Sequence, residues 1–461
     1  MSNTLSKQKE LFGHPIGLFV LFFTEMWERF SYYGMRAILV LYLVTEVAGQ
    51  NPGLGWTNGD ALALYGWYTM MVYVMSIPGG IIADKLLGQR KSVLIGSILL
   101  VAGHGILAVE EMWAFYSGLV LIVLGVGMLK PNISTMVGGL YKQGDIRRDK
   151  GFTIFYIGIN LGAFLSSLGV GYVGEVHGWH YGFGLAGIGM LLGMIVYLWG
   201  QKHLTHVGNF IGSSKSEEER EAASRPLTKV EKDRVSVLLL SFLLVVVFWG
   251  AFEQAGGLMN IYTMEKTDRL FMGFEIPASV FQSINAMFII FFGTSIALFW
   301  ANRKLKGKVS SSLFKMIIGL IIMGAGFFFM TGATVQYEAS GSSAMYWLVF
   351  AYLFHTIGEL CLSPVALSYI TKLAPVKYAS IMMGVYFAVT GFGSKLAGLL
   401  GEWSESLGEF KIFTGIAVFC VAFGLIMLAL RNRIEPLTHG VEDKEGQGFD
   451  EAEGFDLADS N

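Results

Sequence analysis

Four charged residues crowd one short apolar stretch, Glu25-Met-Trp-Glu28-Arg29-Phe30-Ser31-Tyr32-Tyr33-Gly34-Met35-Arg36. At about 100° per residue along a helix, Glu25, Glu28, Arg29, Tyr32, Tyr33 and Arg36 fall within an arc of roughly 140°, a polar stripe about 16 Å long. Two carboxylates beside permanently charged guanidinium groups can exchange protons and change their pairing as they do so. Three more ionisable side chains stand in similarly apolar surroundings. Lys130 follows Gly127-Met-Leu and precedes Pro131-Asn132; Glu253 lies in Phe248-Trp249-Gly250-Ala-Phe252-Glu253-Gln254; Glu359 lies in His355-Thr-Ile-Gly358-Glu359-Leu-Cys361-Leu-Ser363-Pro364. None of these groupings pairs a nucleophile with a base or completes a metal set, so an enzyme is not expected.

The elements that must hold these charges are unusual. Of 461 residues, 53% are hydrophobic and only 15% are charged, against about 25% charged in soluble domains. The apolar residues gather in twelve blocks, near 14–45, 58–84, 92–109, 112–140, 151–174, 181–201, 235–264, 277–301, 311–331, 343–371, 379–400 and 411–431. A bilayer core requires about 20 apolar residues per helix and only about 10 alternating ones per barrel strand, so the blocks predict transmembrane helices. The first is too long and too charged for a cleavable signal. At bilayer depth a charge costs at least ~2.5–3.5 kcal/mol, so each of the side chains above must face a partner or a wet cavity. A Glu–Arg lock serving only to join helices is the weaker reading of the first block, since Ser, Thr or Asn join helices at lower cost.

Lys and Arg fall unevenly: 26 lie in loops and termini on one side, three (Lys266, Arg269 and Lys411) on the other, and four within spans. That asymmetry predicts an even number of spans with both termini cytoplasmic. A formal charge of −2, from 33 basic and 35 acidic residues, offers no basic field for nucleic acid. Cys361 and Cys420 both lie in apolar blocks, which excludes a disulfide framework.

The plan that results has a six-helix bundle over 1–201, a cytoplasmic linker over 202–234, a second six-helix bundle over 235–432, and an acidic, Gly-rich tail over 433–461 expected to be disordered. Two six-helix halves around a midplane site are the plan of the major facilitator superfamily, an all-α integral membrane fold. Between the second and third blocks, Gly80-Ile-Ile-Ala-Asp84-Lys-Leu-Leu-Gly88-Gln-Arg90-Lys91 resembles that superfamily's cytoplasmic loop motif. The first half carries Arg29, Arg36 and Lys130 against Glu25 and Glu28, and the second offers Glu253 and Glu359. Cations on one wall suit a carboxylate and carboxylates on the other suit an ammonium, so a zwitterion bridging the two is the expected solute.

At this level of detail the chain resembles one family. Glu25-x-x-Glu28-Arg29-Phe30-x-Tyr32-Tyr33-Gly34 is similar to the signature of the proton-dependent oligopeptide transporters, the POT family. Ordered matches follow at Tyr73 with Gly79-Gly80 and Ala83-Asp84, Lys130-Pro131-Asn132, Phe155-Tyr156-Ile-Gly-Ile-Asn160-Leu-Gly162, Phe281-Gln282-Ser-Ile-Asn285 and Gly358-Glu359 through Pro364. The resemblance implies symport of di- and tripeptides with protons, by alternating access, in a bacterial inner membrane. It implies no cofactor beyond the proton gradient, and partners limited to peptide, protons and lipid, with the protein acting as a monomer. A carrier of nitrate or an amino-acid-like anion is the alternative, with a channel as the weakest case. Residue by residue, Arg36 and Lys130 match positions that hold the peptide carboxylate, and Asn160, Asn285 and Glu359 match those that hold its ammonium. Tyr33 and Tyr73 match pocket tyrosines, Glu25, Glu28 and Arg29 the proton-coupling triplet, and Glu253 the acid that pairs with the Arg36 position. The chain departs from the family in three respects. The linker has no room for the extra helix pair of many bacterial relatives, Tyr386 stands where Trp is frequent, and the ninth and tenth blocks are not separated by the large extracellular insert of mammalian relatives.

Other residues carry less. His355 and Glu359 share a helical face but are too few for a metal site, and no metal is expected. His104 is expected to be a packing residue, and Lys395 to snorkel or to line the cavity.

Overall fold

The computed structural model describes residues 9–141, 145, 147–209, 226–375 and 378–441. Lipid cannot satisfy backbone polar groups, so spanning segments must close their own hydrogen bonds, and here they do so as helices. The spans of the first half are α1 Ile16–Val44, α2 Asn58–Leu87, α3 Gln89–Leu107, α4 Met112–Gly139, α5 Lys150–His177 and α6 Trp179–His203. Those of the second half are α7 Lys229–Lys266, α8 Ala278–Leu305, α9 Ser312–Ser340, α10 Tyr346–Leu373, α11 Ile381–Leu407 and α12 Glu409–Thr438. Eleven of these are apolar enough to cross a membrane on composition alone. The exception is α1, where every 18-residue stretch contains at least three of Glu25, Glu28, Arg29 and Arg36.

Several spans are interrupted where the site lies. α7 is α-helical through Phe252, tightens into a 3-10 turn at Glu253–Ala255, and resumes at Leu258 after Gly256 and Gly257. α5 loosens into a π-helical turn at Ser167–Gly171. Pro131 lies inside α4 and Pro364 inside α10, and each removes a backbone donor. Among the described residues, three pairs of two-residue strands lie outside the spans, one of them a hairpin of Leu270–Phe271 with Phe274–Glu275 that joins α7 to α8.

α3 packs on α4 and α6, and α1 on α5 and α6; in the second half, α9 packs on α10 and α12, and α7 on α11. The halves meet mainly where α2 lies along α11 and α5 along α8. At the first seam the backbones touch: a Cβ on Gly66 would stand 2.9 Å from Gly398 Cα, so neither position admits a side chain without parting the helices.

Two boundaries differ from expectation. The helix expected from 235 begins at Lys229, because the Thr228 hydroxyl accepts from the Glu231 amide while Glu231 accepts from the Thr228 amide, a reciprocal cap that ends the polar segment early. The tail expected to be disordered from 433 is helical through Thr438 and tied back: Arg234 donates to the Thr438 carbonyl (3.1 Å), His439 pairs with Asp233 (2.8 Å), and Ser311 bonds Glu435. Residues 210–225 of the expected linker and 442–461 of the expected tail lie outside the described residues.

Candidate functional site

The two bundles enclose a cavity of about 1650 Å³. Ten of the eleven candidate residues line it: Glu25, Arg29, Tyr33, Arg36, Tyr73, Lys130 and Asn160 from the first bundle, and Glu253, Asn285 and Glu359 from the second. Glu28 is fully buried behind Arg29 and does not reach the cavity wall.

Two charge clusters dominate. Within α1, Arg29 Nε lies 3.0 Å from Glu25 Oε1 and also pairs with Glu28, all three side chains being buried. Arg29 further lies over the Tyr32 and Tyr33 rings, at 5.9 and 5.7 Å. The second cluster crosses between bundles. Arg36 Nη1 donates to both oxygens of Glu253 (2.9 and 3.2 Å), and the Tyr65 hydroxyl donates to Glu253 Oε2 (3.0 Å). Arg36 stacks on Tyr33 at 4.9 Å and retains Nε without an acceptor among the described residues. Such a pair, charge-assisted and buried, is strong while intact and costly to break from one side only.

Lys130 stands apart, its Nζ 4.1 Å from the centre of the Tyr73 ring. On the opposite wall, the Asn285 amide donates to Glu359 Oε2 (2.9 Å) and to Thr356 Oγ1 (3.0 Å). Asn160 faces the same cavity but spends its amide donor within its own helix, on the Tyr156 carbonyl (2.9 Å).

Among the described residues, the cavity lining reaches one face of the protein. Its walls run down to Asp84 in the last turn of α2 and Gln89 at the start of α3, Tyr141 and Arg148 between α4 and α5, and Thr371 and Ala374 at the end of α10, the face on which α1 begins and α12 ends. At this mouth Arg147 binds Asp145 and Glu10, and its hydrogen bonds hold the Asp145 carboxyl below the usual carboxylate range. The opposite face is shut by contacts between bundles. Asn58 donates to Glu265 (3.3 Å), the Gly59 amide to Glu405 (2.6 Å), Asn260 to the Ala37 carbonyl (2.8 Å), and Glu175 accepts from the start of α8.

Comparison with known proteins agrees with this architecture. The POT family model matches residues 90–217 and 217–409. The chain is 36% identical to the peptide transporter YePEPT of Yersinia enterocolitica, over 95% of this chain and 98% of that one. It is 33% identical to a di-/tripeptide transporter of Lactococcus lactis subsp. cremoris, over 94% and 98%. Among solved structures, a peptide transporter POT in complex with sulfate superposes with a TM-score of 0.86 at 35% identity, covering 93% of this chain and 97% of the other. The chain belongs to the POT family.

As a POT family member it is a multi-pass membrane protein of the major facilitator fold, in agreement with the six-plus-six plan. The structure also brings forward residues that sequence reading passed over. Tyr65 belongs to a Tyr65–Thr69–Tyr73–Ser76 stripe at helical spacing in an otherwise apolar span, a signal present in the sequence but unused. Thr356, one turn before Glu359, shares the Asn285 amide and was hidden by the apolar run around it. Trp249, Phe252 and Tyr352 also line the cavity. Tyr386, where Trp is frequent in the family, is buried against Phe242 and faces the same space. His104 lies buried away from the cavity, whereas His355 reaches its wall with Phe327 at 4.4 Å. Lys395 does not line the cavity; its Nζ lies 4.7 Å from the Trp67 ring at the α2–α11 seam.

Proposed function

We propose that this protein is a symporter that carries di- and tripeptides into the cell with protons, by alternating access, from a bacterial inner membrane with both termini cytoplasmic. The observation that carries this reading is the arrangement of fixed charge around one chamber. Arg36 and Lys130 lie on one wall, Glu359 with Asn285 on the other, and the Arg36–Glu253 pair bridges the bundles at the shut end. A peptide presents a carboxylate and an ammonium at opposite ends, and its backbone can span the gap between the walls.

The proton's part follows from the chemistry of the pair. Protonating Glu253 removes its charge and with it most of the attraction to Arg36, so the bundles lose a tie and Arg36 is freed for the peptide carboxylate. Lys130 supplies a second cation beside Tyr73, while Glu359, with Asn160 and Asn285, receives the ammonium. Tyr33 and Tyr73 flank the peptide backbone. Glu25 and Glu28 share Arg29, so a proton on either alters what Lys130 can pair with. No cofactor is required, the gradient supplying the work, and one chain contains the whole chamber, which supports action as a monomer. The relatives that bear the names peptide transporter and di-/tripeptide transporter support the substrate class.

The test is uptake of a labelled dipeptide into proteoliposomes. Saturable accumulation driven by an inward proton gradient, competed by other di- and tripeptides and collapsed by a protonophore, is the expected result. Competition by nitrate without competition by peptides would overturn the substrate assignment, and downhill flux indifferent to the gradient would overturn symport.

A further inference from the structure

The shut face contains a carboxylate to which the peptide cycle gives no part. Glu175, near the end of α5, accepts from the backbone amides of Ala278 (2.9 Å) and Ser279 (2.7 Å) and from the Ser279 hydroxyl. Those donors open the 3-10 turn Ala278–Gln282 with which α8 begins. A side chain of one bundle thus caps a helix of the other. The first amides of a helix have no partner of their own and lie at its positive end, so an ionised carboxylate is the group best suited to satisfy them.

The approach of the two helices is built for this contact. The π-helical turn Ser167–Gly171 widens α5 just before Glu175, and a Cβ on Gly171 would fall 2.4 Å from Ser279 Oγ. Asn51 fixes the Glu175 backbone from the α1–α2 loop, donating to the carbonyls of Gly174 (2.8 Å) and Glu175 (3.1 Å). Tyr172 stacks on Phe274 of the α7–α8 hairpin, with ring centres 6.4 Å apart. Several charged or titratable groups surround Glu175. Arg269 of the hairpin is committed to Glu275 (2.7 Å) and the Ile276 carbonyl (2.7 Å). His177 turns its ring to Tyr172, and His180 of α6 bonds the Leu107 carbonyl (3.0 Å). Arg269 is therefore the nearby cation, and it is already paired.

We infer that Glu175 is a proton-labile latch of the shut face, holding α5 to α8 while ionised and releasing α8 when protonated. Of the three groups that face the carboxylate, the two amides can only donate, while the Ser279 hydroxyl can also accept. Protonation makes one carboxyl oxygen a donor toward that hydroxyl, weakens the carboxyl as an acceptor for the two amides, and removes the charge that complements the helix start. Glu175 thus acts as a positioning residue in the cycle proposed above, on whose alternating-access reading the inference rests. It adds a point of proton action on the face opposite the cavity mouth, separate from the α1 triplet and from Glu253.

The experiment places spin labels at Val47→Cys and Met272→Cys, exposed positions on the shut face of opposite bundles; the two native cysteines are buried. Distances are measured in lipid nanodiscs at neutral and at mildly acidic pH. In the otherwise native protein, the long-distance population is expected to grow on acidification. Glu175→Gln, which imitates the protonated acid, should raise the open-to-shut ratio at neutral pH roughly tenfold and leave a smaller further response to acid. Ser279→Ala, which removes one donor only, should shift the ratio the same way by about threefold. A Glu175→Gln protein whose distances and pH response match the parent overturns the latch. Should that variant fail to fold, an unchanged Ser279→Ala distribution overturns it equally. Loss of the peptide reading has a different signature: no peptide uptake by the native protein, while the Glu175-dependent opening persists.

Discussion

Two buried charge clusters lie about two helical turns apart on α1 yet differ in kind. Glu25, Glu28 and Arg29 belong to one helix and keep their geometry however the bundles move. Arg36, Glu253 and Tyr65 come from α1, α7 and α2, so the second cluster exists only while the bundles are together at the shut face. The first can change state only by gaining or losing a proton or an outside partner. The second can also be broken by motion, and conversely its breaking permits motion. A transporter needs both kinds of element, one to register the proton and one to tie that registration to the position of the bundles.

Substitutions can separate the two clusters, and the largest effect is expected inside the first. Arg29→Gln leaves two carboxylates buried without their cation, so the variant should lose about 3–5 kcal/mol of stability, read as a lowered unfolding midpoint in detergent. An unaltered midpoint would mean that the triplet does not act as one electrostatic unit. Glu253→Gln frees Arg36 without removing volume. Proton-driven accumulation should fall at least about tenfold, equivalent to about 1.4 kcal/mol or more, while exchange of labelled for unlabelled peptide survives. Full accumulation by that variant would remove Glu253 from coupling.

Smaller effects fall at the seam. A Cβ at Gly398 would lie 2.7 Å from both Gly66 Cα and the Leu62 carbonyl, so Gly398→Ala should pry α2 from α11 at a cost of about 1–3 kcal/mol. The readout is a shift of shut-face distances toward the open population, and distances unchanged from the parent would show that the seam yields elsewhere. Tyr65→Phe deletes one hydrogen bond to Glu253 and should cost about 1 kcal/mol, visible as a several-fold drop in accumulation without loss of thermal stability. If Tyr65→Phe matched Glu253→Gln in severity, the hydroxyl rather than the guanidinium would be the principal partner of the carboxylate.

Much of the fold is legible in the amino-acid order. Apolar blocks of bilayer length, separated by charged loops, specify helices because lipid permits few other solutions. Boundaries are harder to read where a local bond decides them. The Thr228–Glu231 cap starts α7 within a run that composition assigns to linker, and the ties from Arg234, Asp233 and Ser311 fold back a segment that composition assigns to the tail. Within the site, Glu25, Arg29, Arg36, Lys130, Glu253 and Glu359 stand out because a charge in an apolar span is too costly to be there without a partner or a cavity. Tyr65 and Thr356 do not, since a hydroxyl in a span costs little and can bond to its own helix. The apolar wall of Trp249, Phe252 and Tyr352 resembles any other buried aromatic stretch until the chamber is seen.

The number of spans, the polar stripe of α1 and the six-plus-six division all rest on periodicity and on the cost of charge in lipid, so the chain's own residues were enough to set them. Partners distant along the chain were decided only by tertiary structure: Arg36 with Glu253, Asn285 with Glu359, Glu175 with the start of α8, and Gly66 against Gly398. So was the face on which the chamber opens. The reason is physical: a helix's polar face follows from its own residues, whereas the helix it meets, and at which end, depends on how two bundles balance against each other.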